Sequence, residues 1–278
     1  MRIAVTGARG RVGRAVVDAA LRDGHSVVGI DRPEATADRA HPRLDDVDAD
    51  VTSYDDFEHA VQDSAALIHL AAYASPNGHP DHEVHNNNVV GSYNALSVAA
   101  RLGIAKVCLA SSINAIGGYY SRNPRYDYFP VDELHPTYNE DPYSLSKRIC
   151  EEQADSFARR YESMTISTLR FHAVVPARGA ATRTRQFEGE SKQLWGYTTL
   201  DAAARACLLA VSADFTGHET FYVVAPRTTS ETPSLALAGE YFPEVPIVGD
   251  LSGTRGFFDC RKAEVMLGWA HDPSVTAR

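Results

Sequence analysis

Apolar positions in this chain fall into short unbroken blocks that alternate with longer stretches of helical spacing. Residues 2–6, Arg-Ile-Ala-Val-Thr, form the first block, of the kind that makes a buried strand. Ala15, Val16, Ala19, Ala20 and Leu21 then recur at helical intervals, and Gly24 marks the helix end. Ser26–Ile30 is a second block, closed by Asp31, and a third strand is expected to end at Asp50-Val51. Further blocks stand at 66–70, 106–110, 165–171, 221–225 and 245–248. Helical spacing returns at 53–61, about 198–211, about 233–241 and about 260–267. Its clearest instance follows Asp141 and Pro142, where Leu145, Ile149, Cys150, Ala154, Phe157, Ala158 and Tyr161 share one face. Asp is a good N-cap, and Pro suits the first helical position because its missing N–H has no partner there. Strands alternating with helices predict the α/β class, with a doubly wound parallel sheet.

Three stretches resist this reading. Residues 113–141 are rich in Tyr, Pro and Asn without a clear period, and residues 32–46 read as a loop. Residues 176–193 are polar and carry Arg178, Arg183, Arg185 and Lys192, a basic group that suits a carboxylate or phosphate if it points inward. A long loop in a compact domain is usually a lid or pocket wall. With no internal repeat and no low-complexity linker, residues 1–175 are expected to form a core. Residues 176–278 are expected to form a small lobe interleaved with it.

The first turn carries candidate chemistry. Gly7, Gly10 and Gly13 fall between the first strand and its helix, and Asp31 stands at the tip of the second strand. Glycines there let the backbone approach a pyrophosphate resting on the helix N-terminus, and the acid can bind both hydroxyls of an adenosine ribose. A carboxylate at Asp31 also repels a 2′-phosphate, which favours NAD, although Arg9 or Arg32 could reach such a phosphate and leave NADP open. Tyr143 and Lys147, four apart, lie about one turn apart on one helix face. An ammonium beside a phenol favours phenolate and would pull the Tyr143 pKa down from about 10.

The spacing Gly7-x-x-Gly10-x-x-Gly13 after Thr6 resembles the short-chain dehydrogenase/reductase superfamily, in its extended, NAD-dependent epimerase/dehydratase branch. His69-Leu-Ala-Ala72 resembles that family's fourth-strand ending, Asn88-Val-Val-Gly91 the opening of the next helix, and Leu169-Arg170-Phe171 the sixth-strand ending. Ser111-Ser112 precedes Tyr143 and Lys147 by the usual loop, and the matches keep family order from residue 1 to about 175, with an echo at Leu267-Gly-Trp269. The resemblance implies a Rossmann-type core with Ser112, Tyr143 and Lys147 as catalytic residues. It makes Ser112 the group that orients the reacting oxygen, and Ser111 a strand-end hydroxyl facing the cofactor. It gives cofactor contacts to Gly7, Gly10, Arg11, Val12, Gly13, Asp31 and Arg32, to Asp50 and Val51 around the adenine, and to Leu70, Ala71, Ala72, Asn88, Tyr143 and Lys147. Asn88 is either a helix N-cap or a structural group acting on the catalytic helix, and His85 and His172 are minor candidates for substrate contacts.

Substrate is less legible. Nucleotide-sugar epimerases of this branch carry a longer segment after the sixth strand, with a glycine- and arginine-containing stretch that grips the nucleotide diphosphate. No such stretch stands between Phe171 and the Trp195–Asp201 run. The shortened lobe is more similar to uronate dehydrogenases, which points to a small, polar, sugar-derived substrate. A nucleotide-sugar 4-epimerase or dehydratase with tightly held NAD is the alternative, and a non-catalytic cofactor sensor a third, disfavoured by the Tyr–Lys pair.

Composition narrows the remaining choices. A 44% hydrophobic content with net charge −9 fits a soluble globular chain and argues against nucleic acid or an anionic membrane as partner. The chain opens directly on a strand pattern and has no long apolar run, so a cytoplasmic location is expected. Cys108, Cys150, Cys207 and Cys260 have no metal-like spacing and read as packed thiols, so no metal is expected. The helices holding Asn88 and Tyr143 form a dimer face in many relatives, which implies a homodimer.

Overall fold

The computed structural model describes residues 1–33, 40–184 and 189–272, with the side chains of 182–184 excepted. Its frame is a parallel seven-stranded sheet in the order β3-β2-β1-β4-β5-β6-β9. The strands are β1 (Arg2–Thr6), β2 (Ser26–Asp31), β3 (Leu44–Asp48), β4 (Ala66–His69), β5 (Lys106–Ser112), β6 (Thr165–Phe171) and β9 (Gly217–Val223). A short pair, β7 (Val174–Val175) and β8 (Thr198–Thr199), lies beside it. The strand order reverses between β1 and β4, which opens a crevice at their carboxyl ends.

Helices cover both faces, as a parallel sheet requires. On one face, α1 (Arg11–Arg22) and α6 (Leu200–Ser212) bury alanines and valines such as Val16, Ala20, Ala203 and Val211 against β1 and β4. The opposite face is covered by α2 (Tyr54–Ala60), α3 (Asp81–Leu102) and α4 (Pro142–Arg160), packed through Phe57, Leu96, Ala154 and Phe157. A third, aromatic cluster joins the 113–131 loop to the C-terminal residues through Tyr126, Phe129, Trp195, Tyr222 and Phe257. Helix α7 (Ser234–Tyr241) packs into it through Leu237 and Ala238, while α5 (Arg178–Thr184) buries Ala181 beside Val175 and Tyr197, and α8 (Arg261–Leu267) joins the first core through Ala263 and Leu267.

Several boundaries differ from the sequence reading. β3 begins at Leu44 and ends at Asp48, so Asp50 and Val51 follow the strand. Its core, Leu44-Asp-Asp-Val-Asp48, is an acidic edge strand, and edge strands carry charge rather than a continuous apolar run. β9 starts at Gly217, before the apolar part of the block. Residues 245–248 form no strand; Ile247 makes one isolated bridge to Phe129. The polar 176–193 stretch holds α5 and a 3-10 turn at Ser191–Gln193.

Candidate active site

A cleft of about 300 Å³ lies at the strand-order reversal. The turn after β1 supplies Gly7, Gly10, Arg11, Val12 and Gly13 to its wall, and the tip of β2 supplies Asp31, followed by Arg32 just beyond the strand. Asp50 and Val51 close one side, while Leu70, Ala71 and Ala72 close the other. Ala49, Tyr73, Ala74 and Asn87 also line it and carry no motif by which sequence could have selected them.

Its shape follows from small side chains and backbone donors. Gly7 has φ +66°, and a Cβ there would stand 2.9 Å from the Ala71 nitrogen. A Cβ on Gly13 would come within 2.0 Å of the Gly7 carbonyl, so only glycine lets α1 start against the turn. Gly10 caps α1 without a side-chain acceptor and the first turn holds no acid, so its N–H groups face the cleft uncovered by a cap. Asp31 accepts from the Arg9 and Arg32 amides at 2.9 Å each, which fixes its carboxylate at the cleft rim. Backbone access, a helix N-terminus and a rim carboxylate together fit a dinucleotide.

The β4 side is tied down by Thr6. Its Oγ accepts from the Leu70 and Ala71 amides at 3.1 Å, so its own proton goes to His69 Nδ1 at 2.9 Å. His69 is thereby an acceptor at Nδ1, and burial, with Lys147 nearby, lowers its pKa to about 3. It is a packed, neutral strand residue. Asp50 makes a turn by accepting from the Thr52 amide and hydroxyl, and buried Asn94 donates to the Val51 and Thr52 carbonyls. Asn94 gave no sequence signal, because an Asn inside a helix has many fates.

On α4, Asp141 caps the helix by accepting from the Ser144 amide, as its sequence position implies. Tyr143 is buried beside Ser112, whose Oγ accepts from the Asn114 amide at 3.1 Å. Lys147 lies 5.8 Å from the Tyr143 ring centre and donates to the Ala110 carbonyl at 2.7 Å. Ser112, Tyr143 and Lys147 thus converge where β5 meets α4. Tyr120 packs edge-on against Tyr143 at 5.8 Å.

The electrostatics differ from the expectation of a lowered phenol. Burial pushes Tyr143 up to about 12, against the Ser112 hydrogen bond that lowers it, and Asp141 adds to the rise. Burial also lowers the Lys147 pKa. Desolvation sets the direction, while the Lys147 ammonium stands 5.8 Å from the ring centre with one of its protons on the Ala110 carbonyl.

Other assignments are corrected. Asn88 is no N-cap: α3 begins at Asp81, and Asn88 is buried beyond its first turn. It accepts from the Tyr73 amide at 2.8 Å and donates to the Tyr73 carbonyl and Ser146 Oγ at 3.0 Å each. Ser146 in turn donates to the Tyr143 carbonyl at 2.7 Å. Ser111 does not face the cleft; it donates to buried Glu151 at 2.7 Å, because adjacent strand residues point to opposite faces. His172 is held by the Gln193 carbonyl and the Ala173 amide, and half-buried His85 lies beside Asn86. Arg178 donates to the Thr228 carbonyl and pairs with Glu231. The Arg183 side chain and Arg185 lie outside the described residues. No helix among them is long and apolar enough to cross a membrane, and no group of His, Cys, Asp and Glu among them could hold a metal ion.

Comparison with known proteins agrees with this architecture. The family model described as "NAD dependent epimerase/dehydratase family" matches residues 3–224. A putative UDP-glucose 4-epimerase of Methanocaldococcus jannaschii is 30% identical, over 96% of this chain and 92% of its own. Among solved structures, MoeE5 in complex with UDP-glucuronic acid and NAD superposes with TM-score 0.72 at 21% identity, covering 97% of this chain and 93% of that one. A mutated uronate dehydrogenase superposes with TM-score 0.69 at 22% identity, covering 97% and 80%. The chain is therefore a Rossmann-type NAD-dependent enzyme and belongs to the NAD-dependent epimerase/dehydratase family of extended short-chain dehydrogenases/reductases.

Proposed function

We propose that the protein is a dehydrogenase that oxidises a secondary or hemiacetal alcohol of a small, polar, sugar-derived molecule, with Tyr143 as the general acid–base. The observation that carries this reading is the convergence of Ser112 and Lys147 around Tyr143, with Lys147 5.8 Å from its ring centre and donating to the Ala110 carbonyl. Ser112 orients the reacting oxygen and Tyr143 exchanges its hydroxyl proton. Lys147 holds the nicotinamide ribose and keeps positive charge beside the phenol. Bound NAD supplies the hydride acceptor and, through its oxidised ring, a positive charge that opposes the effect of burial on Tyr143. Gly7, Gly10, Gly13, Asp31, Asp50 and Leu70–Ala72 hold the rest of the dinucleotide, and residues 176–278, with 113–141, build the substrate lobe.

Tyr143→Phe tests this assignment. Turnover should fall about 10²- to 10⁴-fold while NADH binding is retained. Unchanged turnover would sink the mechanism.

A second reading is favoured by one observation, the full-length similarity to a putative UDP-glucose 4-epimerase. In that case the same residues oxidise and then re-reduce a nucleotide sugar. The two readings separate by absorbance. A dehydrogenase accumulates NADH with sugars or sugar acids, whereas an epimerase interconverts nucleotide sugars with no net NADH.

The enzyme is further proposed to be a cytoplasmic homodimer joined through α3 and α4. Support comes from Val90, Tyr93 and Leu145, large apolar side chains exposed on these two helices.

A further inference from the structure

We infer that Asp46 and Asp48, on the edge strand β3, set the cofactor preference by holding Arg9 away from the adenosine 2′ position. The inference rests on the reading of the cleft as the dinucleotide site. Arg9 stands between Gly7 and Gly10, a position from which a guanidinium could clamp a 2′-phosphate with two hydrogen bonds. Sequence alone therefore leaves NADP open. The structure places this side chain elsewhere. Arg9 Nη1 donates to Asp48 Oδ1 at 2.7 Å and to the Arg32 carbonyl at 3.2 Å, and Nε lies 3.7 Å from Asp46 Oδ1. The side chain is only 7% exposed, and Arg9 is not among the residues lining the cleft.

Strand register builds this arrangement. Asp48 pairs with Asp31, and Asp46 with Gly29, so the β3 carboxylates lie beside the strand tip that carries the ribose-binding acid. Asp46 and Asp48 thus face the Arg9 guanidinium while Asp31 accepts from the Arg9 backbone amide, and a phosphate arriving there meets three carboxylates. Arg32 does line the cleft, but its guanidinium stands 5.5 Å over the Tyr73 ring, beside the Tyr73 hydroxyl at 3.4 Å. A 2′-phosphate thus has to draw Arg9 away from Asp46 and Asp48 before using it.

The test is fluorescence titration of NADH and NADPH against the full chain, independent of turnover. The wild type should bind NADH at least about tenfold more tightly than NADPH. Asp46→Asn with Asp48→Asn keeps the side-chain shapes and removes both charges. The ratio of NADPH to NADH dissociation constants should then fall at least about tenfold, with NADH binding shifted less than about threefold. Adding Arg9→Ala should restore the wild-type ratio. An unchanged ratio in the double variant, or a changed ratio that survives Arg9→Ala, overturns the inference. If the double variant fails to fold by circular dichroism, the single Asp48→Asn variant takes its place with the same expected direction. Gly7→Val in the same titration isolates the underlying reading. If NADH binding survives that change, the cleft assignment fails independently of Arg9.

Discussion

Glu151 and Arg170 face each other through two parallel hydrogen bonds, Nε to Oε1 and Nη2 to Oε2, each 2.8 Å. Both are buried. Burial pushes the Glu151 carboxyl up, yet the Arg170 guanidinium and the Ser111 hydroxyl hold it below its ordinary value. The third side of the guanidinium donates to the Tyr222 hydroxyl on β9 at 3.1 Å. Tyr143, Lys147 and Glu151 recur every four residues, so one stripe of α4 carries the proposed acid–base pair and its anchor to β5, β6 and β9.

That placement predicts the outcome of Glu151→Gln. A guanidinium left without its carboxylate inside the protein costs about 3–5 kcal/mol, read as a lower midpoint in urea unfolding. Replacing both partners, with Glu151→Leu and Arg170→Met, should cost clearly less than the single change, because no charge is left unpaired. A double variant less stable than Glu151→Gln would show that the pair itself, rather than its completeness, carries the stability.

Asn88 makes a second connection, from Tyr73 at the cleft wall to Ser146 on α4. Asn88→Ala strands the Tyr73 amide and carbonyl and removes the donor to Ser146. A loss of about 1–3 kcal/mol in stability is expected from the unsatisfied buried groups. The turnover rate should fall about tenfold, as α4 loses its link to the cleft. Steady-state kinetics with varied NAD would check this; an unchanged rate with lowered stability would leave Asn88 a packing residue only.

These two networks mark where sequence reading ends. The strand–turn–helix–strand at 2–31 was legible because each part, block, glycines and Asp31, is local. So was α4, with Asp141 and Pro142 in place to start it. Ser111 is misread, and the choice between the two readings of Asn88 stays open, because their partners, Glu151 and Ser146, lie far along the chain. Nothing in local spacing tells a cap from a buried clasp. The 113–141 loop owes its course to long-range contacts, such as the Lys192 ammonium on the Ser121 and Arg122 carbonyls. Its own residues carry no period to read. The Tyr143 phenol moved opposite to expectation for a related reason: spacing reports a neighbouring charge but not the desolvation that opposes it.

Stability should fall in acid through buried histidines. Burial lowers His69 to about 3 and His271 to about 4, both below the unfolded value near 6.5. Between those limits the unfolded chain binds protons that the folded chain refuses, so stability rises with pH. Each such histidine adds a slope of up to about 1.4 kcal/mol per pH unit, beginning as pH drops below about 6.5. Urea midpoints measured from pH 7 down to pH 4 should show the decline, and His69→Gln should flatten it. An identical slope in that variant would assign the acid sensitivity to other groups.

The proposed dimer face gives the last prediction. Val90 is 41% exposed, Tyr93 49% and Leu145 41%, an apolar run across α3 and α4. The two helices are already fastened to each other by Ser92 to Gln153 at 2.6 Å and Gln153 to the Val89 carbonyl at 3.1 Å. Tyr93 lies edge-on to Phe157 at 5.4 Å, so the face is preformed rather than assembled on contact. Placing a charge at its centre with Tyr93→Asp should convert a dimer into a monomer at micromolar concentration, as measured by light scattering. Because a dimer interface stabilises by mass action, the wild-type thermal midpoint should rise with protein concentration while that of the variant does not. Residues of the cofactor cleft are untouched by this change, so NADH binding should persist in the monomer. A wild-type chain that scatters as a monomer would remove α3 and α4 as an interface.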